Sequence, residues 1–211
     1  MLIAIFGDIH GNLISLEQFF KDTIHVDGYI CLGDVVNYGP WSNECVQLIN
    51  TKNNIITLKG NHEESFLSKS YSGKNIIARS FFDFCIEEFT EDIIISSYID
   101  SYQFMNYDFR HTVNDSYIFK DSPLKIDRNI VLGHSHQQFQ RVINGFKVIN
   151  PGSLGQNRAL INQAEYLIFN SEQNTFECRK FIFDCQVMID EMKKRKYPDI
   201  CVNYYQQKPF K

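Results

Sequence analysis

The chain has 211 residues, 44% of them apolar, enough to bury one sizeable core. Its 21 basic and 25 acidic side chains leave a formal net charge of −4, which argues against a general nucleic-acid footprint while leaving a local basic groove open. No apolar run approaches the length that spans a bilayer, and residues 1–6 lack the basic flank and cleavage site of a signal peptide. The cysteines, Cys31, Cys45, Cys85, Cys178, Cys185 and Cys201, are scattered without a C-x-x-C pair. They read as free, mostly buried thiols of a reducing compartment, with the cytoplasm as the default.

Residues 2–6 are a short apolar run bounded by Gly7, the pattern of a buried strand. Gly7-Asp8-Ile9-His10-Gly11-Asn12 follows where that strand ends. In open α/β sheets, ligands bind beyond the carboxyl ends of the strands. Asp8 and His10, as alternate residues of an extended segment, point to one side. A carboxylate and an imidazole converging there are half of a transition-metal site; a turn with a helix cap is the plainer alternative. Asn12 can cap a helix through Leu13, Leu16, Phe19 and Phe20. Residues 29–32 are a second strand, stopped by Gly33-Asp34. Strand, helix and strand make a βαβ unit with a parallel sheet, so the fold class is α/β. Tyr38-Gly39-Pro40 is a turn, and Ser42 is placed as the cap of a helix carrying Cys45, Val46, Leu48 and Ile49. Residues 54–58 form a third strand, closed by Gly60-Asn61-His62-Glu63. Three successive strands thus end in glycine plus a ligand-type residue, which a random core has no reason to do.

Residues 76–89 have helical periodicity, and 100–111 read as a hairpin turning near Met105-Asn106, with His111 at its end. The stretch 114–128 is polar and mostly loop. Residues 129–132 are again a strand, ending in Gly133-His134-Ser135-His136. Residues 138–142 and 146–149 flank Asn144-Gly145, a strong hairpin signal. A tight loop at Asn150-Pro151-Gly152-Ser153 leads to an antiparallel pair, 166–169 and 176–183. An amphipathic helix over 187–196 stops near Pro198. Its Lys193-Lys194-Arg195-Lys196 run suits a solvated helix end, with a partner contact as the alternative. The tail 201–211 carries no readable pattern. With no repeat or linker, residues 1–211 are expected to form one domain, 185–211 being its C-terminal helix and tail.

Of the histidines, only His25 lies away from a strand end. The ligand-type residues at strand ends are Asp8, His10, Asp34, Asn61, His111, His134 and His136. Imidazole plus carboxylate suits a divalent transition metal. Seven such residues exceed the needs of one ion and suffice for two if a carboxylate bridges, for which Asp34 is placed on a central strand.

Gly-Asp-Ile-His-Gly-Asn, Gly-Asp-Val-Val-Asn-Tyr-Gly-Pro, Gly-Asn-His-Glu and Gly-His-Ser-His, in this order, resemble the calcineurin-like metallophosphoesterase family over residues 1–184. Residues 150–158, Asn-Pro-Gly-Ser-Leu-Gly-Gln-Asn-Arg, resemble a loop of its small bacterial and archaeal phosphodiesterase-like branch. The resemblance implies a four-layer αββα sandwich, two mixed β-sheets flanked by helices. It implies two divalent ions, manganese first and iron, zinc, nickel or cobalt as alternatives. Asp8, His10 and His136 would hold one ion, Asn61, His111 and His134 the other, and Asp34 both. His62 would stand over the substrate as general acid. Two ions roughly 3.5–4 Å apart can bind phosphoryl oxygens, generate hydroxide near neutral pH and hold it in line with the leaving group.

Two departures stand out. His111 is followed by Thr112 where the family usually has glycine, and Asn37-Tyr38-Gly39 replaces the Asp-Arg-Gly of the protein phosphatases. The missing arginine lowers a protein-phosphatase reading. Arg158 is a candidate phosphate contact, with a surface salt bridge as its alternative. The expected substrate is a small phosphodiester or phosphomonoester, nucleotides among the candidates, with no membrane partner and nucleic acid not favoured. A fold kept as a binding or scaffold module, and a nuclease, are the competing functions.

Overall fold

The structure, a computed structural model, describes residues 1–210. Strands β1 (Leu2–Phe6), β2 (Gly28–Cys31) and β3 (Ile55–Thr57) run parallel, joined through helices α1 (Leu13–Asp22) and α2 (Ser42–Asn50). Asn12 caps α1 as expected, its Oδ1 accepting Ser15 N–H at 3.1 Å. Ser42 does not cap α2. Trp41 holds that position, and the Ser42 hydroxyl instead accepts Asn37 N–H at 3.0 Å, tying down the loop after β2.

Helices α3 (Asn61–Leu67), α4 (Ile76–Cys85) and α5 (Asp92–Ser96) follow. The hairpin of β4 (Ser101–Phe104) and β5 (Tyr107–Arg110) turns at Met105-Asn106. Next come β6 (Asn129–Leu132), β7 (Phe139–Ile143) and β8 (Phe146–Asn150), then β9 (Gln163–Asn170) and β10 (Thr175–Ile182). Two helices close the chain, α6 (Cys185–Lys194) and α7 (Asp199–Gln206). Asp184 caps α6 by accepting Gln186 N–H, which starts that helix two residues before the apolar periodicity suggests. Most of α7 falls in the tail 201–211 that carried no readable pattern.

The strands form two mixed five-stranded sheets, β10-β9-β1-β2-β3 and β4-β5-β6-β8-β7, in agreement with the expected class. Period-two alternation sorts their side chains into layers. On β1, Ile3 and Ile5 face the second sheet, while Ala4 and Phe6 face the helices. Leu32, Phe109, Val131, Leu167 and Phe169 extend the layer between the sheets. The other face of the second sheet, Ile130, Leu132 and Val148, packs with Ile118, Leu124 and Ile126 of the irregular stretch 112–128.

In the second sheet β5, β6 and β8 are parallel, like β1, β2 and β3 in the first. The residues that follow β1, β2, β3, β5 and β6 converge at one edge of the paired sheets. Five cysteines are buried and Cys178 is exposed, all as free thiols. The basic run is an ion-paired helix end: Arg195 meets Glu44, Glu88 and Glu191 at 3.4, 3.6 and 2.9 Å. Among the described residues, no helix is long and apolar enough to cross a membrane.

Phe109 is fully buried between the sheets, two residues before His111. Phe109→Ala is expected to cost about 3–5 kcal/mol, read by urea unfolding as a lowered midpoint.

Candidate metal centre and its cleft

The loop after β1 does not continue the strand. Asp8 and His10 have φ of 51° and 50°, so the expected extended segment is replaced by left-handed residues. The reason lies in the neighbouring loops. Asp8 N–H donates to Gly33 O at 2.9 Å, His10 N–H to Asp34 O at 3.0 Å and Gly11 N–H to Val35 O at 2.8 Å. On the other side, Leu154 N–H donates to Gly7 O and Gly155 N–H to Asp8 O, both at 3.1 Å. These bonds extend the sheet pairing past the strand ends in a twisted form that aims both side chains inward. Asp34, His134 and His136 are also left-handed, at 54°, 66° and 54°. Non-glycine residues adopt this conformation at a cost, and such strain clusters at functional sites.

The structure brings all seven predicted ligands together. Donor atoms of Asp8, His10, Asp34 and His136 lie within 4.8 Å of one another, as do those of Asp34, His111 and His134. Asp34 belongs to both groups. Asn61 joins the second, its Oδ1 being 3.1 Å from His111 Nε2. His111 is therefore in place although Thr112 follows it. His62, at the start of α3, is buried with Nε2 3.9 Å from Asp34 Oδ2.

The imidazoles are oriented from behind. His10 Nδ1 bonds Val36 O at 3.3 Å, His111 Nδ1 bonds Leu32 O at 2.8 Å and His136 Nδ1 bonds Gln156 O at 2.8 Å. A ring that donates Nδ1–H to a carbonyl turns its Nε2 lone pair inward, as metal-ligating histidines do. The inward Nε2 atoms of His10 and His136 lie 3.2 Å apart, and His136 Nε2 is 3.3 Å from Asp8 Oδ1. Two inward-facing imidazole nitrogens and a carboxylate oxygen this close are a donor set that suits a cation. The mixed nitrogen and oxygen donors, buried and pre-aimed, fit two divalent transition ions.

Titration follows the same geometry. Burial pushes Asp8 and Asp34 up, but neighbouring histidines, His136 for Asp8 and His111 for Asp34, hold both below the ordinary carboxylate value. Burial drives His10 well down and His62 down, and takes His134 to about 4. Burial also works against protonated His111, yet Asp34 at 3.2 Å overrides it and raises His111 to about 10. Among the protein groups alone, this ion pair contributes stability that is full below the ordinary histidine value of 6.5 and fades as pH rises through about 10.

Sequence reasoning passed over several supports. Glu63 is fully buried, and its carboxylate accepts N–H bonds from Gly60, Asp34 and Val35 at 2.8 Å and Val36 at 3.2 Å. It clamps the β2 loop to the β3 loop, and burial beside Asp34 raises it to about 7 despite those donors. Its place in Gly-Asn-His-Glu was the available signal. The Asn37 side-chain NH2 donates to His62 Nδ1 at 2.9 Å. That bond falls at the position where the Asn-Tyr-Gly block departs from Asp-Arg-Gly. Gln156 lies in the 150–158 loop already noted, while Tyr204 and Lys208 fall in the tail that carried no readable pattern.

A cleft opens over the donor groups, with Tyr38, Asn75, Tyr117, Arg158, Tyr204 and Lys208 on its walls. Tyr117 stacks on His134 at 4.1 Å between centroids, and Arg158 lies 5.2 Å from the Tyr117 ring. No carboxylate pairs with Arg158 among the described residues; its Nε–H donates to Ser135 O at 2.6 Å.

A family model described as calcineurin-like phosphoesterase matches residues 1–151. An uncharacterized protein of Methanocaldococcus jannaschii is 28% identical, with 94% of each chain covered. Among solved structures, a metallophosphoesterase from Sphaerobacter thermophilus superposes with a TM-score of 0.77 at 22% identity, covering 98% of this chain and 99% of that one. A hypothetical protein of Pyrococcus horikoshii OT3 gives 0.79 at 14% identity, covering 97% of each.

A Cβ on Gly60 would fall on Asp34 Oδ1 and within 2.6 Å of Asp34 N. Gly60→Ala is expected to displace Asp34 and cost about 1–3 kcal/mol in denaturant unfolding. Because Asp34 belongs to both donor groups, uptake of a divalent ion should weaken in parallel, measured by calorimetry.

Proposed function

The chain belongs to the calcineurin-like phosphoesterase family, and from that premise we propose that it is a dinuclear, metal-dependent hydrolase of a small phosphodiester or phosphomonoester. The observation that carries this reading is Asp34, one buried carboxylate common to two donor groups. Asp8, His10 and His136 would hold one ion, Asn61, His111 and His134 the other, and Asp34 both. Manganese suits the imidazole and carboxylate donors, as do iron, zinc, nickel and cobalt. Such ions supply positive charge to phosphoryl oxygens and make water nucleophilic near neutral pH.

The chain's own part is orientation and proton transfer. His62 stands beside the donor groups without a backbone carbonyl on its Nδ1; Asn37 is there instead. After a half-turn of its amide, Asn37 accepts Nδ1–H of the imidazolium through Oδ1, leaving Nε2–H to be given to the leaving oxygen. Burial lowers the affinity of His62 for that proton, which makes its transfer easier. Tyr38, edge-on to His10 with centroids 5.0 Å apart, walls the reacting groups from one side. The cations on the cleft favour an anionic small molecule, while the net charge of −4 disfavours extended nucleic acid. Buried free thiols fit a cytoplasmic setting.

Manganese-loaded protein is expected to cleave bis-p-nitrophenyl phosphate or p-nitrophenyl phosphate. Asp34→Ala should abolish turnover, and His62→Ala should lower kcat by about 10²–10⁴ with metal content unchanged. Full turnover in Asp34→Ala would overturn the reading.

Cation uptake also requires His111 to give up a proton it holds up to about pH 10. Manganese affinity should therefore strengthen from about pH 6 to 8, with proton release visible as buffer-dependent heats in calorimetry.

A further inference from the structure

Two cations face the cleft from parts of the chain beyond the family match. Arg158 comes from the loop after β8, and Lys208 from the segment after α7. Apart from Asp34, no acid lines the cleft, and none pairs with either cation among the described residues. Arg158 packs over the Tyr117 and Phe119 rings at 5.2 Å each, and Lys208 Nζ lies 4.6 Å from the Tyr204 ring centroid. Neither residue is loosely hung. Arg158 Nε–H is bonded to Ser135 O at 2.6 Å. The Lys208 backbone is fixed by its N–H to Tyr205 O at 3.3 Å and by Ile161 N–H to the adjacent Pro209 O at 3.0 Å. Burial and the charge of Arg158 both push the Lys208 ammonium down, so this pairing is unfavourable in the free protein. It becomes favourable when an anion lies between the two cations.

Each cation reaches the donor groups through intervening residues, Arg158 through one ring and Lys208 through two residues. Arg158 rests on Tyr117, which stacks on His134. Lys208 rests on Tyr204, whose hydroxyl donates to Gln156 Oε1 at 3.0 Å; the Gln156 carbonyl orients His136. Asp34 and His62, which a scissile phosphate would meet, are buried in the same cleft. Resting on the phosphoesterase reading, we propose that Arg158 and Lys208 form a second anion subsite, and that the substrate is a phosphoester carrying a further phosphate remote from the scissile one.

The test is calorimetry on manganese-loaded protein in a His62→Ala background, with adenosine 5′-monophosphate and adenosine 3′,5′-bisphosphate as the probes. The bisphosphate should bind at least about tenfold more tightly, the effect of one charge-assisted hydrogen bond. Arg158→Gln with Lys208→Gln should bring the ratio to near one. Arg158→Lys with Lys208→Arg, which keeps both charges, should retain most of it and so separates lost charge from lost fold. Equal affinities for the two nucleotides, or a preference that survives the double glutamine variant, would overturn the inference while leaving turnover of bis-p-nitrophenyl phosphate untouched. Absence of that turnover in the manganese-loaded wild-type protein, with neither nucleotide bound, would instead overturn the phosphoesterase reading beneath it.

Discussion

The structure depends on keeping the Asp34 carboxylate ionised and fixed in a place with almost no water. Isolated, a buried carboxylate would take up a proton rather than bear the cost of lost hydration. Here three constraints act together. His111 stands 3.2 Å from Oδ2 and keeps a proton far above its ordinary range. His62 N–H donates to Oδ1 at 3.0 Å. Glu63 then fixes the backbone of Asp34 itself and of the two residues after it. Since Asp34 is common to both donor groups, a shift of this one side chain would pull both apart.

That fixation has a conformational cost. Asp8, His10, Asp34, His134 and His136 are left-handed, and so are Asn37 and Tyr38. Each such residue is unfavourable by roughly 1–3 kcal/mol, a sum no single interaction offsets. The offset is distributed over the register of neighbouring loops, which bond one another in step from Gly7 to Gly11, Gly33 to Val35 and Leu154 to Gly155. Below them lie apolar layers whose members, such as Ile5, Leu32, Val131 and Leu167, are almost fully buried. The rigid sheets hold strained loops in a geometry those loops would not keep alone. Close approach is part of the same arrangement: Gly155 has Ile9 O where a side chain would begin, and only glycine fits.

What was legible in the sequence follows from the range of the forces involved. Strand ends are marked locally, by apolar runs stopped at glycine, so the ligand-type residues at those ends could be picked out before any fold was known. The hairpins at Met105-Asn106 and Asn144-Gly145 were readable for the same reason, since turn chemistry is local. Local rules misplaced what tertiary contacts decide. Ser42 has the right chemistry for a cap but spends its hydroxyl on Asn37. Asp8 and His10 follow a strand, yet pairing with the β2 loop turns them left-handed. Glu63 sits in a readable motif, but its four backbone donors come from two loops and cannot be foreseen from spacing.

Helix α7 was the least legible element and is tied to the centre by the longest chain of contacts. Its buried residues Cys201, Val202 and Tyr205 give only a brief apolar stripe, too short to announce a helix. Tyr204 and Tyr205 both bond the Gln156 side chain, one hydroxyl donating to its oxygen and the other accepting from its nitrogen. The Gln156 backbone carbonyl in turn sets the ring of His136, a predicted ligand. The end of the chain therefore bears on the centre through two hydrogen bonds in series, and through Lys208 on the cleft as well. The predicted ligands follow β1, β2, β3, β5 and β6, and all lie within the family match. The part of the cleft built by Gln156, Arg158, Tyr204 and Lys208 lies after that match. Gln156 bonds a predicted ligand through its backbone carbonyl, whereas Arg158 and Lys208 pack on the Tyr117 and Tyr204 rings. The donor groups and the cationic wall of the cleft are therefore built by different stretches of the chain, the first within the family match and the second after it.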